Sequence, residues 1–464
     1  MAVTWRNWAR QQSCTPARIE RPANEEQLSE AIARAGRDGL RVRPVGSGHS
    51  FTDTCLTDGA IVDQSAMQRV LDVDTESGLV KVEAGIKLHR LTAELHRHGL
   101  ALENQGDIDK QSLAGALATA THGTGERFRN LSANVVGCRL ATATGEVVEI
   151  DEARDADAWR AARVSVGALG VISQYTLRCV PAFRIHRVDE LRPVTEVLAE
   201  LDELVAEHDH FEVLALPHTD KVLTYASRRT DRPAAPPGRL AAWWNDDVLS
   251  NVGLGAACHL GRLVPGAAPR VARAMSGVIG RYEQLGDSHR VYAHERRVRF
   301  TEMEYAIPRT YAAEALQRVR VLIADRRLPV LFPVELRFTA PDDAFLSTAH
   351  GRDTAYLAVH HVVRAEYEAF FRAVEAIMDE YDGRPHWGKR HFQTAATLAA
   401  RYPAWQKFQA VRARLDPDGM FTNDYIARVL GPVGADTGPS GTEPALLGKQ
   451  HEDTVLGDDA RRET

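Results

Sequence analysis

A strand that runs directly into a glycine-rich turn constrains this chain more than any other feature. Residues Arg41-Val42-Arg43-Pro44-Val45 read as the strand, and Gly46-Ser47-Gly48-His49-Ser50 follow at once. Glycines tolerate positive φ and remove side-chain bulk, so backbone N–H groups can converge on a cluster of anionic oxygens such as a diphosphate. An ordinary strand-ending turn around a satisfied histidine would use the same residues. A second small-residue region runs from Gly115 to Gly125 and ends in Thr121-His122-Gly123-Thr124-Gly125. Two Gly/His/hydroxyl turns in one unit point to two edges of one extended ligand; close packing of small residues on a sheet is the alternative. A third compact turn is Gly167-Ala168-Leu169-Gly170-Val171-Ile172.

The segments between these turns alternate helix and strand. Asn24 to Leu40 reads as a helix, capped by Asn24 with Gln27 in the reciprocal position and striped by Leu28, Ile32 and Ala35. Leu88 to His98 reads as another, stopped by Gly99. Short strands are expected at 60–62, 79–82, 135–140 and 146–150, which makes the first 182 residues one α+β unit. At 464 residues the chain exceeds one ordinary core. A second domain is expected over 183–432, with more aromatic residues, a helix from Ala365 to Asp382 and a surface loop from Arg228 to Gly238. Residues 433–464, rich in glycine, acids and threonine, read as a disordered tail.

A net charge of −6 argues against nucleic acid as a partner. The five cysteines are scattered without a CxxC pair, and HExxH is absent, so neither a disulfide framework nor a metal site is expected. The first residues lack the apolar stretch of a signal peptide, and no apolar run reaches transmembrane length. A cytoplasmic protein is expected, with peripheral membrane contact left open.

Three further segments carry chemistry. In Val334-Glu335-Leu336-Arg337-Phe338 the alternation of a strand puts Glu335 and Arg337 on one face. That pair suits a polyhydroxylated substrate, or else a structural ion pair. Tyr356 to His361 reads as a strand with His360 and His361 on opposite faces, and a lone strand histidine is often structural. His386-Trp387-Gly388-Lys389-Arg390-His391 is dense in cationic and aromatic groups, and reads as a site segment or a solvated basic loop. Gly253-Leu254-Gly255 lacks the third glycine and the preceding strand of a dinucleotide fingerprint. No phosphate-binding GxxxxGK[ST] or GxSxG sequence is present.

Taken together, Pro44 to Phe51, Gly106-Asp107-Ile108-Asp109, Ser112-Leu113-Ala114-Gly115, Thr121 to Gly125 and His386 to Lys389 resemble the sugar-1,4-lactone oxidoreductases of the vanillyl-alcohol-oxidase/PCMH flavoprotein superfamily. The resemblance covers about residues 5–430. It implies an α+β fold of two domains, a PCMH-type FAD-binding domain and an α+β substrate cap of the aldonolactone oxidase type, with FAD extended between them. It assigns Val45, Gly46, Ser47, Gly48 and Ser50 to the pyrophosphate turn, and His49 to a covalent bond with the flavin. Ser112 would face flavin and substrate; Gly115, Thr119, His122 and Gly123 would line the cofactor; the Ile172 backbone would meet the adenine. Glu335 and Arg337 would bind substrate, and Lys389 would lie beside the flavin. His360 joins the catalytic set, although alditol-oxidising relatives carry a smaller polar residue there. The implied activity is hydride transfer from a CH–OH group of an aldono-1,4-lactone, of L-gulono or D-arabinono type, to flavin N5. Electrons would pass to O2, a cytochrome or another acceptor. An alditol or xylitol oxidase on the same scaffold, or a non-catalytic flavin electron relay, are the alternatives.

Overall fold

The computed structural model describes residues 3–293, 297–363 and 366–434. Three β-sheets organise them. Strands β1 (Arg18–Glu20), β2 (Val42–Val45) and β3 (Ala60–Asp63) form a parallel sheet in the order β1-β3-β2. Helix α1 (Glu25–Arg37) makes the connection between its first two strands. The Asn24 side chain accepts from Gln27 N at 2.9 Å, and Gln27 Oε1 accepts from Ala23 N, so both side chains satisfy the helix start. Leu28, Ile32 and Ala35 are buried against the parallel sheet, each apolar side chain contributing about 1.5–3 kcal/mol for the largest.

The second sheet is antiparallel: β4 (Val70–Asp74), β5 (Leu79–Glu83), β6 (Val135–Ala141), β7 (Val147–Asp151) and β8 (Val171–Arg178), in the order β7-β6-β8-β5-β4. Helices α2 (Leu88–Arg97), α3 (Leu113–Ala118) and α4 (Ala156–Arg163) accompany it. Gly99 ends α2 with φ +72°, as expected of a helix stop.

The third sheet has eight antiparallel strands: β9 (Arg184–Pro193), β10 (His210–Ala215), β11 (Lys221–Thr230), β12 (Tyr282–Asp287), β13 (Phe300–Pro308), β14 (Val334–Thr339), β15 (Thr354–Val362) and β16 (Arg384–Pro385). Their order is β12-β9-β11-β10-β14-β15-β13-β16. One face is covered by α5 (Ala312–Asp325) and α6 (Glu368–Asp379), which bury Leu316, Val319, Phe371 and Met378 against it. The other face turns toward the first two sheets.

Two boundaries differ from expectation. Arg228 to Thr230 continue β11, because pairing with Arg184 to His186 extends the ladder past the polar stretch. Helix α6 spans Glu368–Asp379, shorter than the expected 365–382; the buried Tyr381, whose ring continues the helical apolar period, lies past its end, held by Glu314 and Arg318. Ala365, and the expected tail from 435 onward, lie outside the described residues.

After β16 the chain returns to the first unit. Trp387, Trp405, Phe408, Tyr425 and Ile426, from the loop after β16, α7 (Trp405–Leu415) and α8 (Asp424–Leu430), pack in one core with Leu88, Leu117, Leu140 and Trp159. Arg43 of β2 joins these parts. Fully buried, it donates to Thr54 O (2.8 Å), Gly167 O (3.0 Å), Phe421 O (2.5 Å) and Val166 O (2.8 Å). Four carbonyls thus compensate a desolvated guanidinium, whose pKa burial pushes down to about 10.

Candidate active site

The turn after β2 is shaped by close approach. A Cβ on Gly46 would lie 1.8 Å from Ser112 Oγ, so only glycine fits there. Gly48 adopts φ +67°, and its carbonyl accepts from Trp8 N at 2.8 Å. The backbone N–H groups of Ser47, Gly48, His49 and Ser50 donate to nothing among the described residues, and the buried Ser47 hydroxyl is unpartnered. Donors left open this way on a half-buried turn fit an anionic, phosphate-bearing group. Ser112 caps α3, its Oγ accepting from Gly115 N (3.3 Å), and Thr119 Oγ1 donates to Gly115 O (2.9 Å). Gly123 is equally enclosed: a Cβ would meet Asn104 Oδ1 at 2.3 Å.

The His49 ring faces a cavity of about 480 Å³ and stacks on Trp8, centroids 5.5 Å apart. Burial, reinforced by Lys87, lowers its pKa to about 4, so the imidazole is neutral near pH 7.

The opposite wall is the open face of the eight-stranded sheet. Glu335 and Arg337 alternate along β14, and Glu302 and Glu304 along β13. Glu302 is paired with His360 in the β13–β15 ladder. The Arg337 guanidinium reaches Glu212 Oε1 (3.0 Å), Glu335 Oε2 (3.1 Å) and Asp107 Oδ1 (3.5 Å). His360 Nε2 lies 3.3 Å from Glu302 and 3.9 Å from Glu335. Lys389 pairs with Glu302 and lies 2.7 Å from Glu304, whose other neighbour is His122 Nε2 at 3.3 Å. His122 Nδ1 faces Gly123 O (2.8 Å) as donor, and its ring stacks on Tyr356 at 3.5 Å. The result is one buried row of alternating charge, crossing four strands (β10, β14, β15 and β13) and ending on a histidine of the first unit.

Electrostatics follows from that row. Burial alone would lower the Lys389 pKa, but Glu302 and Glu304 hold it well above its ordinary value. Burial would raise the two carboxyls, yet Lys389 keeps both below theirs. His360 is desolvated, and Glu302 and Glu335 nevertheless raise its pKa. Burial raises Glu212 to about 7 despite Arg337. His386, buried beside Lys389, falls to about 3 and stays neutral.

His49, Ser50, Thr119, His122, Glu335, Arg337, His360 and Lys389 all line the one cavity. Gly46 and Gly115 lie against Ser112, Ser47 follows Gly46 in the turn, and Val45 is buried at the end of β2. Ile172 stands apart in β8, its carbonyl accepting from Gln64 Nε2 at 2.6 Å. The 386–391 segment is buried rather than solvated: Trp387 is fully enclosed, and its indole N–H donates to Leu346 O (2.7 Å). His361 points away from the cavity, as alternation requires. Glu302, Glu304 and Glu212 were missed by sequence reasoning, although Glu302-Met303-Glu304-Tyr305 shows the same alternation as Glu335 to Phe338. Ligand atoms of Glu302, Glu335 and His360 lie within 4.8 Å of one another, a spacing open to a cation. Lys389 and Arg337 supply positive charge at that point.

A protein-family model described as D-arabinono-1,4-lactone oxidase matches residues 175–429, and one described as FAD binding domain matches residues 16–151. The chain is 54% identical to L-gulono-1,4-lactone dehydrogenase of Mycobacterium tuberculosis, over 93% of this chain and 100% of that one. It is 36% identical to L-gulonolactone oxidase of Bos taurus, over 92% and 98%. Cholesterol oxidase of Brevibacterium sterolicum shares the fold, with a TM-score of 0.76 at 18% identity over 93% and 97%. The open amides and the charged wall belong to an FAD-dependent oxidoreductase, and the chain is a member of the D-arabinono-1,4-lactone oxidase family.

Proposed function

We propose that this chain oxidises an aldono-1,4-lactone, L-gulono-1,4-lactone foremost, at a CH–OH carbon. The observation that carries the reading is the charged wall of Glu302, Glu335, Arg337, His360 and Lys389 facing His49 and Ser50 of the glycine turn across one cavity. Bound FAD supplies the acceptor for the substrate hydride. The Gly46–Ser50 turn would hold the cofactor phosphates, and His49, neutral and facing the cavity, is the residue that would carry a covalent link to it. Arg337, fixed by Glu212 and Glu335, binds substrate oxygen, and Glu335 accepts hydrogen bonds from substrate hydroxyls. The Glu302–His360 pair takes the proton of the reacting hydroxyl. Lys389 holds a fixed positive charge on the same wall.

Anaerobic mixing with L-gulono-1,4-lactone bleaches the flavin band, and xylitol does so far more slowly. Faster bleaching by xylitol would make the chain an alditol oxidase instead. We assign the electrons to an acceptor other than O2, following the dehydrogenase relative; rapid reoxidation of the bleached flavin by air would reverse that assignment. Acid precipitation leaves the yellow colour in the pellet, whereas colour lost to the supernatant would exclude the His49 bond. The five cysteines, all free, support a cytoplasmic location.

A further inference from the structure

Twelve large apolar side chains are exposed among the described residues, and eight of them lie in the stretch 240–278: Leu240, Trp243, Trp244, Val252, Leu260, Leu263, Val264 and Val278. Most sit on an unbroken helical run over 239–263. Its inner side lines the cavity through Asn245, Leu249, Asn251 and Leu254. Its outer side presents the apolar residues together with Arg239, His259 and Arg262, and Arg270 and Arg273 follow on the next helix. These four arginines are exposed and have no carboxylate partner among the described residues. The stretch 239–278 carries only two acidic residues, Asp246 and Asp247, and Asp247 is paired with Arg297 at 2.8 Å. A chain of net charge −6 thus concentrates exposed tryptophan, aliphatic side chains and unpaired arginine on one surface.

We infer that this surface docks on an anionic lipid bilayer. Tryptophan seats at the headgroup level, aliphatic side chains enter the acyl boundary, and arginines meet lipid phosphates. No helix among the described residues is long and apolar enough to cross a membrane, so the run lies along the bilayer. The opposite charge of the surface and the lipid favours a membrane over a second copy of this chain, whose identical basic face would repel it.

The test is co-sedimentation of the full flavoprotein with vesicles of phosphatidylglycerol and phosphatidylcholine in equal parts, and with phosphatidylcholine alone. Binding to the mixed vesicles, weakened by salt, is expected. The double variant W243S/W244S loses at least tenfold in partitioning while its flavin spectrum and melting midpoint stay unchanged. R262Q/R270Q, which leaves the apolar face intact, loses about fivefold per arginine on mixed vesicles and nothing on phosphatidylcholine. The inference is overturned if the native protein ignores the mixed vesicles, or if both variants sediment as it does. It is also overturned if light scattering shows a native dimer that W243S/W244S converts to monomer, because that surface is then a subunit interface.

Discussion

Lys389 Nζ lies 2.7 Å from Glu304 Oε2 and also pairs with Glu302, so one ammonium is held between two carboxylates that are neighbours on a single face of β13. The two acids are buried together with the lysine, and their charges hold its pKa well above the ordinary value. A cation fixed in this way costs no reorganisation when negative charge develops beside it.

Replacing Lys389 with Met therefore slows flavin reduction by roughly 100-fold or more while flavin content is retained. Glu304→Gln has a smaller effect, about tenfold, because Glu302 still fixes the ammonium. Stopped-flow reduction under anaerobic conditions measures both, and a Lys389→Met variant that reduces at the native rate would remove the lysine from the chemistry.

His360 titrates above its ordinary value because Glu302 and Glu335 favour its charged form. Its pair with Glu302 accepts a proton only when the imidazolium is lost. The reduction rate is then expected to rise with pH, with an inflection above the ordinary histidine value of about 6.5. His360→Asn flattens that inflection. An unchanged pH profile in the variant would place the proton acceptor elsewhere.

Gly46→Ala drives a methyl group into Ser112 Oγ at 1.8 Å, so the turn must shift and flavin content falls. Gly46→Ala with Ser112→Gly removes both clashing atoms of Ser112, Oγ at 1.8 Å and Cβ at 2.8 Å, and restores most of the bound flavin. The ratio of flavin to protein absorbance reads both outcomes. Equal loss in the single and double variants would mean that the amide directions, not the crowding, set cofactor retention.

His210 tests the acid side of stability. Nδ1 donates to Thr124 O at 2.7 Å, and Nε2 accepts from the Tyr292 hydroxyl at 2.7 Å, so the neutral tautomer is fully used. Burial depresses its pKa to about 4. A depressed histidine stabilises the fold above its unfolded value of about 6.5, and that contribution is lost as pH falls toward 4. His210→Asn should reduce the slope of unfolding free energy between those limits by up to about 1.4 kcal/mol per pH unit. Denaturant melts at several pH values measure the slope.

The parts of the site legible in the sequence are those where local geometry and chemistry coincide. Gly46 and Gly48 announce a backbone need, and Glu335 with Arg337 declare their common face through strand alternation. Glu302 and Glu304 carry the same alternation, but their meaning depends on Lys389, 87 residues beyond Glu302, and on His122, 182 residues before Glu304. Only the assembled sheet brings those partners together. The overextension of α6 has a similar origin: Tyr381 fits the apolar period, yet the helix has ended at Asp379 and Asp382, at φ +50°, turns the chain away just after it. Pairing across the sheet decided Arg228 to Thr230, where local polarity pointed to a loop.

The return of the chain after β16 gives the molecule the topology of a buckle. The eight-stranded body is a long excursion from the first unit, fastened where β8 leads into β9 and again where His386 and Trp387 re-enter the opposite core. Any opening between the bodies must bend both fastenings at once, and the second carries Lys389 itself. A break after residue 182 would not release an independent flavin module, because Trp405, Phe408 and Tyr425 would leave with the other half, and Phe421, the carbonyl partner of Arg43, with them.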